Sequence, residues 1–227
     1  MKKAVLFDMF FTLADPRTLL ETLECSPLGL SPREWAQYFW TPEIGRRRAL
    51  GEFESGADLI DTVCALLPFS VTAAQKAAVL EGRLTRMTKA LTELQPGILE
   101  TVEALHALGL KLAVVSNADI IDIEAWDRSP LAGLFDTVIF SCSVRMVKPE
   151  PEIYLKALAD LGVSPAEAVF VGDGGDHELD GAKAVGLTTV WTEYLQKKDA
   201  ETRALIEPFA DHHIDDIREL VTLIPSL

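Results

Sequence analysis

Cysteine and positive charge are both scarce in this chain. Only Cys25, Cys64 and Cys142 occur among 227 residues. Their odd number and wide separation support neither a disulfide framework nor a zinc site, so reduced thiols in a cytoplasmic protein are expected. Lys plus Arg total 21 against 35 Asp plus Glu, a formal net charge of −14. That balance withholds the basic surface that nucleic acid or an anionic membrane requires, so neither is expected as a partner. An anionic substrate would have to be met by local cations. Long apolar runs are also missing: Asp8 interrupts the first after "AVLF", and no later stretch approaches the ~18 uncharged apolar residues of a membrane span. Neither export nor a membrane anchor is expected.

What the chain does contain is 48% hydrophobic residues in a patterned arrangement. Short apolar runs alternate with longer amphipathic stretches, the pattern of βα units around a parallel sheet. "AVLF" (4–7), "KLAVV" (111–115), "TVIF" (137–140), "AVFV" (168–171) and "LTTV" (187–190) are the expected strands. "ILETVEALHALG" repeats apolar residues at Ile98, Val102, Leu105 and Leu108. It follows Pro96-Gly97 and stops at Gly109, as a strand-connecting helix should. Between Asp15 and Leu94 no strand run occurs; helices are expected over 17–24, 31–40, 56–67 and 72–91. The fold class is therefore α/β, a doubly wound parallel sheet with an inserted helical domain. Residues 1–15 and 95–227 form the core and 16–94 the insert.

Polar residues recur where the strands end. "AVLF" runs into Asp8, "KLAVV" into Ser116 and Asn117, and "AVFV" into Gly172 and Asp173, while Lys148 follows "TVIF" eight residues on. Open parallel sheets bind ligands in the crevice beyond the carboxyl ends of their strands, so these residues are candidates for one site. Asp8 is the hardest to explain otherwise, since an acid set among apolar residues is costly unless its charge is compensated. Gathering Asp8 and Asp173 with Glu178 or Asp176 would raise their carboxyl pKa values unless a cation lay among them. A hard divalent ion such as Mg²⁺ suits an all-oxygen set.

Four stretches, "FDMFFTL" (7–13), "VVSNAD" (114–119), "VKPEPEIY" (147–154) and "VFVGDGGDHELDGAKAVGL" (169–187), occur together in this order. The ordered set resembles the haloacid dehalogenase (HAD) superfamily, dominated by phosphohydrolases, over essentially the whole chain. The resemblance implies a Rossmann-like core and a helical cap that shapes the substrate pocket. It implies Asp8 as the nucleophile that forms an aspartyl-phosphate, with Mg²⁺ held by Asp8, the Phe10 carbonyl and Asp173. Glu178, with Asp176 nearby, would orient water on the ion. Ser116, Asn117 and Lys148 would meet the phosphoryl oxygens of a small phosphorylated metabolite, and Thr12 would brace the first loop.

The chain also departs from the family pattern. Phosphohydrolases of the family usually carry a second Asp two residues after the nucleophile as general acid and base; here Phe10 stands there, and Phe11 replaces a common Gly. A slowed phosphohydrolase is the leading expectation. Its alternatives are a binding module that keeps the fold and the ion, and a metal-free 2-haloacid dehalogenase. Duller expectations hold elsewhere. His177 is a surface residue, Arg46, Arg47 and Arg48 form a solvated helix face, and Trp35, Tyr38, Phe39 and Trp40 pack inside the insert.

Overall fold

The structure, a computed structural model, describes residues 1–17 and 24–227. The helix expected over 17–24 therefore lies, across 18–23, outside the described residues. Strand β1 (Ala4–Phe7) leads into helices α1 (Pro32–Phe39), α2 (Pro42–Ala49), α3 (Gly56–Cys64) and α4 (Ala73–Thr92). The chain then runs through α5 (Ile98–Ala107), β2 (Lys111–Ser116), β3 (Thr137–Phe140), α6 (Ser141–Val144) and α7 (Pro151–Leu161). β4 (Ala168–Gly172), α8 (Glu178–Ala184), β5 (Thr188–Thr192), α9 (Ala200–Ile206), β6 (His212–Ile214) and α10 (Leu220–Ser226) complete it.

The six strands form one sheet in the order β3-β2-β1-β4-β5-β6, with every pairing parallel. Parallel strands are covered on both faces, which is why these runs are continuously apolar. Alternate residues serve opposite sides. Val5, Phe7, Val114 and Val171 join the core beneath α5 and α10, whereas Leu6, Val115 and Phe170 join the core beneath α7 and α8. All five expected strands are present. β6 was missed because "HHI" is too short and too polar to show an apolar run.

The order matters for function. β1 connects to β2 on one side of itself and pairs with β4 on the other, so the direction of winding reverses between β1 and β4. This is the switch point where doubly wound sheets bind ligands. Asp8 and Asp173 end those two strands.

Helices α1 to α4 have a core of their own, built on Trp35, Phe39, Leu59, Ile60, Val63 and Val79 with Ile121 from beyond β2. Their starts are chemically marked. Ser31 and Glu34 make a reciprocal capping box on α1, as Thr72 and Gln75 do on α4. α2, given no range in the sequence although Arg46, Arg47 and Arg48 read as a helix face, is capped by Thr41 through the Ile44 amide and opened by Pro42. Gly51, just past α2, has φ 66°, and a β-carbon there would lie 2.1 Å from the Cys142 carbonyl oxygen. Glycine at this position lets the helical segment lie directly on the backbone after β3.

Two sequence expectations need correction. Arg48 is not on a solvated face but buried at 4% exposure, because Asp119 and Asp122 beyond β2 reach it with carboxylates. Trp40 is 61% exposed rather than packed inside, since its ring lies on the outer side of Arg48, 4.2 Å from the guanidinium carbon. Trp35 and Phe39 are buried as expected.

Candidate active site

The site begins with a tight loop. After β1, the Asp8 amide donates to the Val171 carbonyl at 2.9 Å, continuing the sheet by one residue. Leu13 and Ala14 then fold back to donate to the Met9 carbonyl, and Phe11 donates to that of Ala14. This turn puts Phe11 at φ 61°, in the left-handed region that favours glycine. Glycine would meet this backbone requirement freely; Phe11 meets it at a cost of about 1–3 kcal/mol.

Asp8, Asp173 and Glu178 converge, each offering a carboxylate oxygen within 4.8 Å of the others. All three are buried. Glu178 reaches this position because Gly172 has no side chain: a β-carbon there would lie 2.1 Å from Glu178 Oε1. Lys148 Nζ bridges two of the acids, 2.5 Å from Asp8 Oδ1 and 2.5 Å from Glu178 Oε2. Thr12 Oγ1 donates to Asp8 Oδ2 at 3.1 Å. Gly174 N donates to Glu178 Oε1, and Gly175 N to Asp173 Oδ1. The remaining oxygen, Asp173 Oδ2, receives Lys198 Nζ at 2.5 Å.

Burial dominates the titration of this cluster. It pushes the Asp8 carboxyl up; Lys148 opposes the rise and Asp173 adds to it. Glu178 is pushed well above the usual carboxylate range, first by burial and then by Asp8. Burial would lower the Lys148 ammonium, but the Asp8 and Glu178 carboxylates outweigh it and hold the proton on. The buried Tyr154 phenol, raised by burial, donates to the Glu178 carbonyl at 2.8 Å.

The other expected residues are placed differently from one another. Asn117 spends its side chain on the loop that carries Lys148: Oδ1 accepts from Lys148 N at 2.8 Å and Nδ2 donates to Lys148 O at 3.0 Å. Nδ2 also donates to Asp176 Oδ2 at 2.9 Å. Asn117 is thus a clamp that positions Lys148. Asp176 stands exposed at the rim instead of joining the acidic cluster, and His177 beside it is exposed too. The Ser116 hydroxyl is fully buried at the end of β2, 3.5 Å from the Asn117 carbonyl oxygen. The Phe10 side chain packs partly buried against the sheet core.

Sequence reasoning passed over Lys198. The signal available was the Lys197-Lys198 pair shortly after β5, on the ligand-binding end of the sheet. It also passed over a buried ionic network between the helical segment and the loop after β2. Arg48 Nε lies 2.7 Å from Asp119 Oδ2, and Arg83 Nη2 lies 2.5 Å from Asp122 Oδ1 and 3.2 Å from Asp119 Oδ2. Both guanidinium carbons lie within 4.3 Å of the centre of the Phe39 ring.

A parallel sheet with acids gathered at its switch point and a lysine among them defines a hydrolase of the HAD type. Residues 2–186 match the family model described as haloacid dehalogenase-like hydrolase, and the chain belongs to that family. It is 32% identical over 135 residues to a glyceraldehyde 3-phosphate phosphatase of Methanopyrus kandleri, covering 58% of this chain and 57% of that protein. It is 35% identical over 135 residues to a ribulose-1,5-bisphosphate 5-phosphatase of Halopiger xanaduensis, covering 58% and 56%. The chain thus spans less than two thirds of the length of these curated relatives. Among solved structures, a HAD phosphatase from Thermococcus onnurineus superposes with a TM-score of 0.64 at 29% identity, over 99% of this chain and 98% of that one. An L-2-haloacid dehalogenase from Xanthobacter autotrophicus superposes over 100% of both chains with a TM-score of 0.69; at 22% identity it shares the fold. Among the described residues no helix is long and apolar enough to cross a membrane.

Proposed function

We propose that the chain is a phosphohydrolase of small phosphorylated metabolites acting through an aspartyl-phosphate at Asp8. The observation that carries this reading is the buried convergence of Asp8, Asp173 and Glu178 around Lys148 at the β1–β4 switch point. The phosphatase names of the relatives and their small phosphorylated substrates support it. So does the chemistry of the donors: the gathered carboxylates are hard oxygen ligands of the kind Mg²⁺ takes. Asp8, the Phe10 carbonyl and Asp173 would hold the ion, which when bound supplies charge to offset the phosphoryl oxygens. Residues 16–94 would form the cap over this site, resting on Ile121 and Cys142 of the core.

The chain's own groups account for the rest. A carboxylate oxygen of Asp8 attacks phosphorus, the Asp8–phosphorus bond forms, and the bond to the leaving oxygen breaks. Lys148 opposes the effect of burial on the Asp8 carboxyl and presents positive charge to the transferred group. Phe10 offers no proton, so the leaving oxygen departs as an anion and takes its proton from water. Water then attacks the aspartyl-phosphate and frees Asp8 with inorganic phosphate.

A panel of phosphorylated metabolites, with p-nitrophenyl phosphate, tests this reading. Phosphate release is expected with Mg²⁺ and is expected to cease with chelator. No release from any compound, or chelator-insensitive halide release from 2-haloacids, overturns it. Phe10 gives a sharper expectation: without a proton donor, aryl phosphates with good leaving groups should be strongly preferred over alkyl phosphates. Phe10→Asp places an acid where the family keeps one, and proton transfer aids the poor leaving group more. The aryl-to-alkyl ratio of kcat/KM should fall by about tenfold or more. An unchanged ratio in a folded variant would show that another residue already supplies the proton.

A further inference from the structure

Lys198 occupies the one oxygen of Asp173 that the backbone leaves free. Asp173 Oδ1 accepts from Gly175 N at 3.0 Å, while Oδ2 lies 2.5 Å from Lys198 Nζ. The same ammonium donates to Gln196 Oε1 at 2.8 Å and lies 5.9 Å from the centre of the Phe11 ring. The lysine is delivered by a pinned loop rather than a loose one. Its backbone amide donates to Glu193 Oε1 at 2.7 Å, and Glu193 is fully buried with Arg203 at 2.7 Å and His213 at 3.3 Å from its other oxygen. Immediately afterwards Asp199 caps α9 through the Thr202 amide. Only 14% of the Lys198 side chain is exposed.

The charges make the consequence plain. Ionised, as ligands and neighbours of a metal ion would be, Asp8, Asp173 and Glu178 carry three negative charges, and Lys148 and Lys198 two positive ones. A dication added to Lys148 alone balances the cluster. A dication added to both lysines leaves it positive, with the ammonium on the Asp173 carboxylate that would also hold the ion. Mg²⁺ binds carboxylate oxygens at about 2.0–2.1 Å, which leaves no room for an ammonium at hydrogen-bond distance on the same side. We propose that Lys198 is a tethered cation that competes with the divalent ion for Asp173 Oδ2 and so sets the metal affinity of the site. The proposal rests on the reading of Asp8 and Asp173 as ligands of that ion. Metal binding then requires Lys198 to withdraw, and the observed affinity is the intrinsic one reduced by the fraction of molecules in which it has done so.

Calorimetric titration of the metal-free protein with Mg²⁺ and with Mn²⁺ tests the proposal without recourse to turnover. Lys198→Met should bind either ion about tenfold more tightly than wild type, corresponding to a competent fraction of about one tenth in the native protein. Lys198→Arg, which keeps a cation on the loop, should stay near wild-type affinity. Lys197→Met removes the same charge from the neighbouring residue, whose partner is the exposed Asp215. It should change affinity by less than about twofold, because solvent and salt screen an exposed charge. Thermal unfolding with and without Mg²⁺ gives a second readout: Lys198→Met should gain more from the ion than wild type does. Wild-type affinity in Lys198→Met overturns the proposal while leaving the metal site intact. Equal tightening by Lys197→Met also overturns it, since bulk charge would then suffice. Failure of every variant to bind either ion at millimolar concentration overturns the metal reading and the proposal together.

Discussion

Replacing Arg83 by methionine is expected to destabilise the folded chain by about 3–5 kcal/mol, the cost of removing one partner from a buried ionic network. Arg83 is 2% exposed, and its guanidinium faces Asp122, Asp119 and Glu24. Arg86 would still meet Glu24, but Arg48 alone would be left for Asp119 and Asp122, and its nearest contact is already Asp119. Methionine restores the length of the stem but none of the charge. Urea unfolding should show a lower midpoint with an unchanged slope. The effect should depend on pH in a definite sense. Burial pushes Glu24 and Asp119 up, but Arg83 with Arg86 outweighs this for Glu24, and Arg83 with Arg48 for Asp119, so both carboxyls end below their ordinary range. A lowered carboxyl contributes stability that is present above its unfolded pKa, about 4, and is lost as pH falls through its folded value. The deficit of Arg83→Met should therefore be largest near neutrality and shrink in acid. Asp122→Leu added to Arg83→Met should recover part of it. A deficit under about 1 kcal/mol that does not vary with pH would place these charges in solvent.

Asp8→Asn is expected to lower phosphate release by at least ~10³-fold, because an amide cannot form the aspartyl-phosphate. The same substitution should not weaken the fold. The Asp8 carboxyl is raised by burial and by Asp173, with Lys148 opposing. A raised carboxyl contributes stability that is complete below its unfolded pKa and lost as pH rises through its folded value. At neutral pH, removing that charge should leave the melting temperature equal to or above that of wild type. Activity and stability would then move in opposite directions, as at sites where function holds charges together. Loss of activity with a collapsed melting temperature would mean that Asp8 is a structural acid, and retained activity would remove it from the reaction.

Much of this molecule was legible in its sequence, because the physics involved is local. An apolar run of four or five residues covered on both faces is a buried parallel strand wherever it lies. Five such runs therefore marked the sheet, and the residues just after them marked its binding edge. Asp8 stood out because an acid between apolar runs requires compensation, whichever fold surrounds it. The helix starts expected at 31, 56 and 72 fall within a residue of α1, α3 and α4, which Ser31, Ser55 and Thr72 cap. What tertiary structure alone decided was which distant charges meet. Whether Glu178 or Asp176 joins the acids depends on Gly172 leaving space for one carboxylate and on Asn117 holding the other at the rim. Arg48 became a buried charge instead of a surface one because Asp119 and Asp122, some seventy residues later, were folded against it. Lys198 reached Asp173 because β4 and β5 are neighbours and buried Glu193 fixes the loop between β5 and α9. Pairings of this kind depend on through-space distance, and sequence separation carries no record of it until the chain is folded.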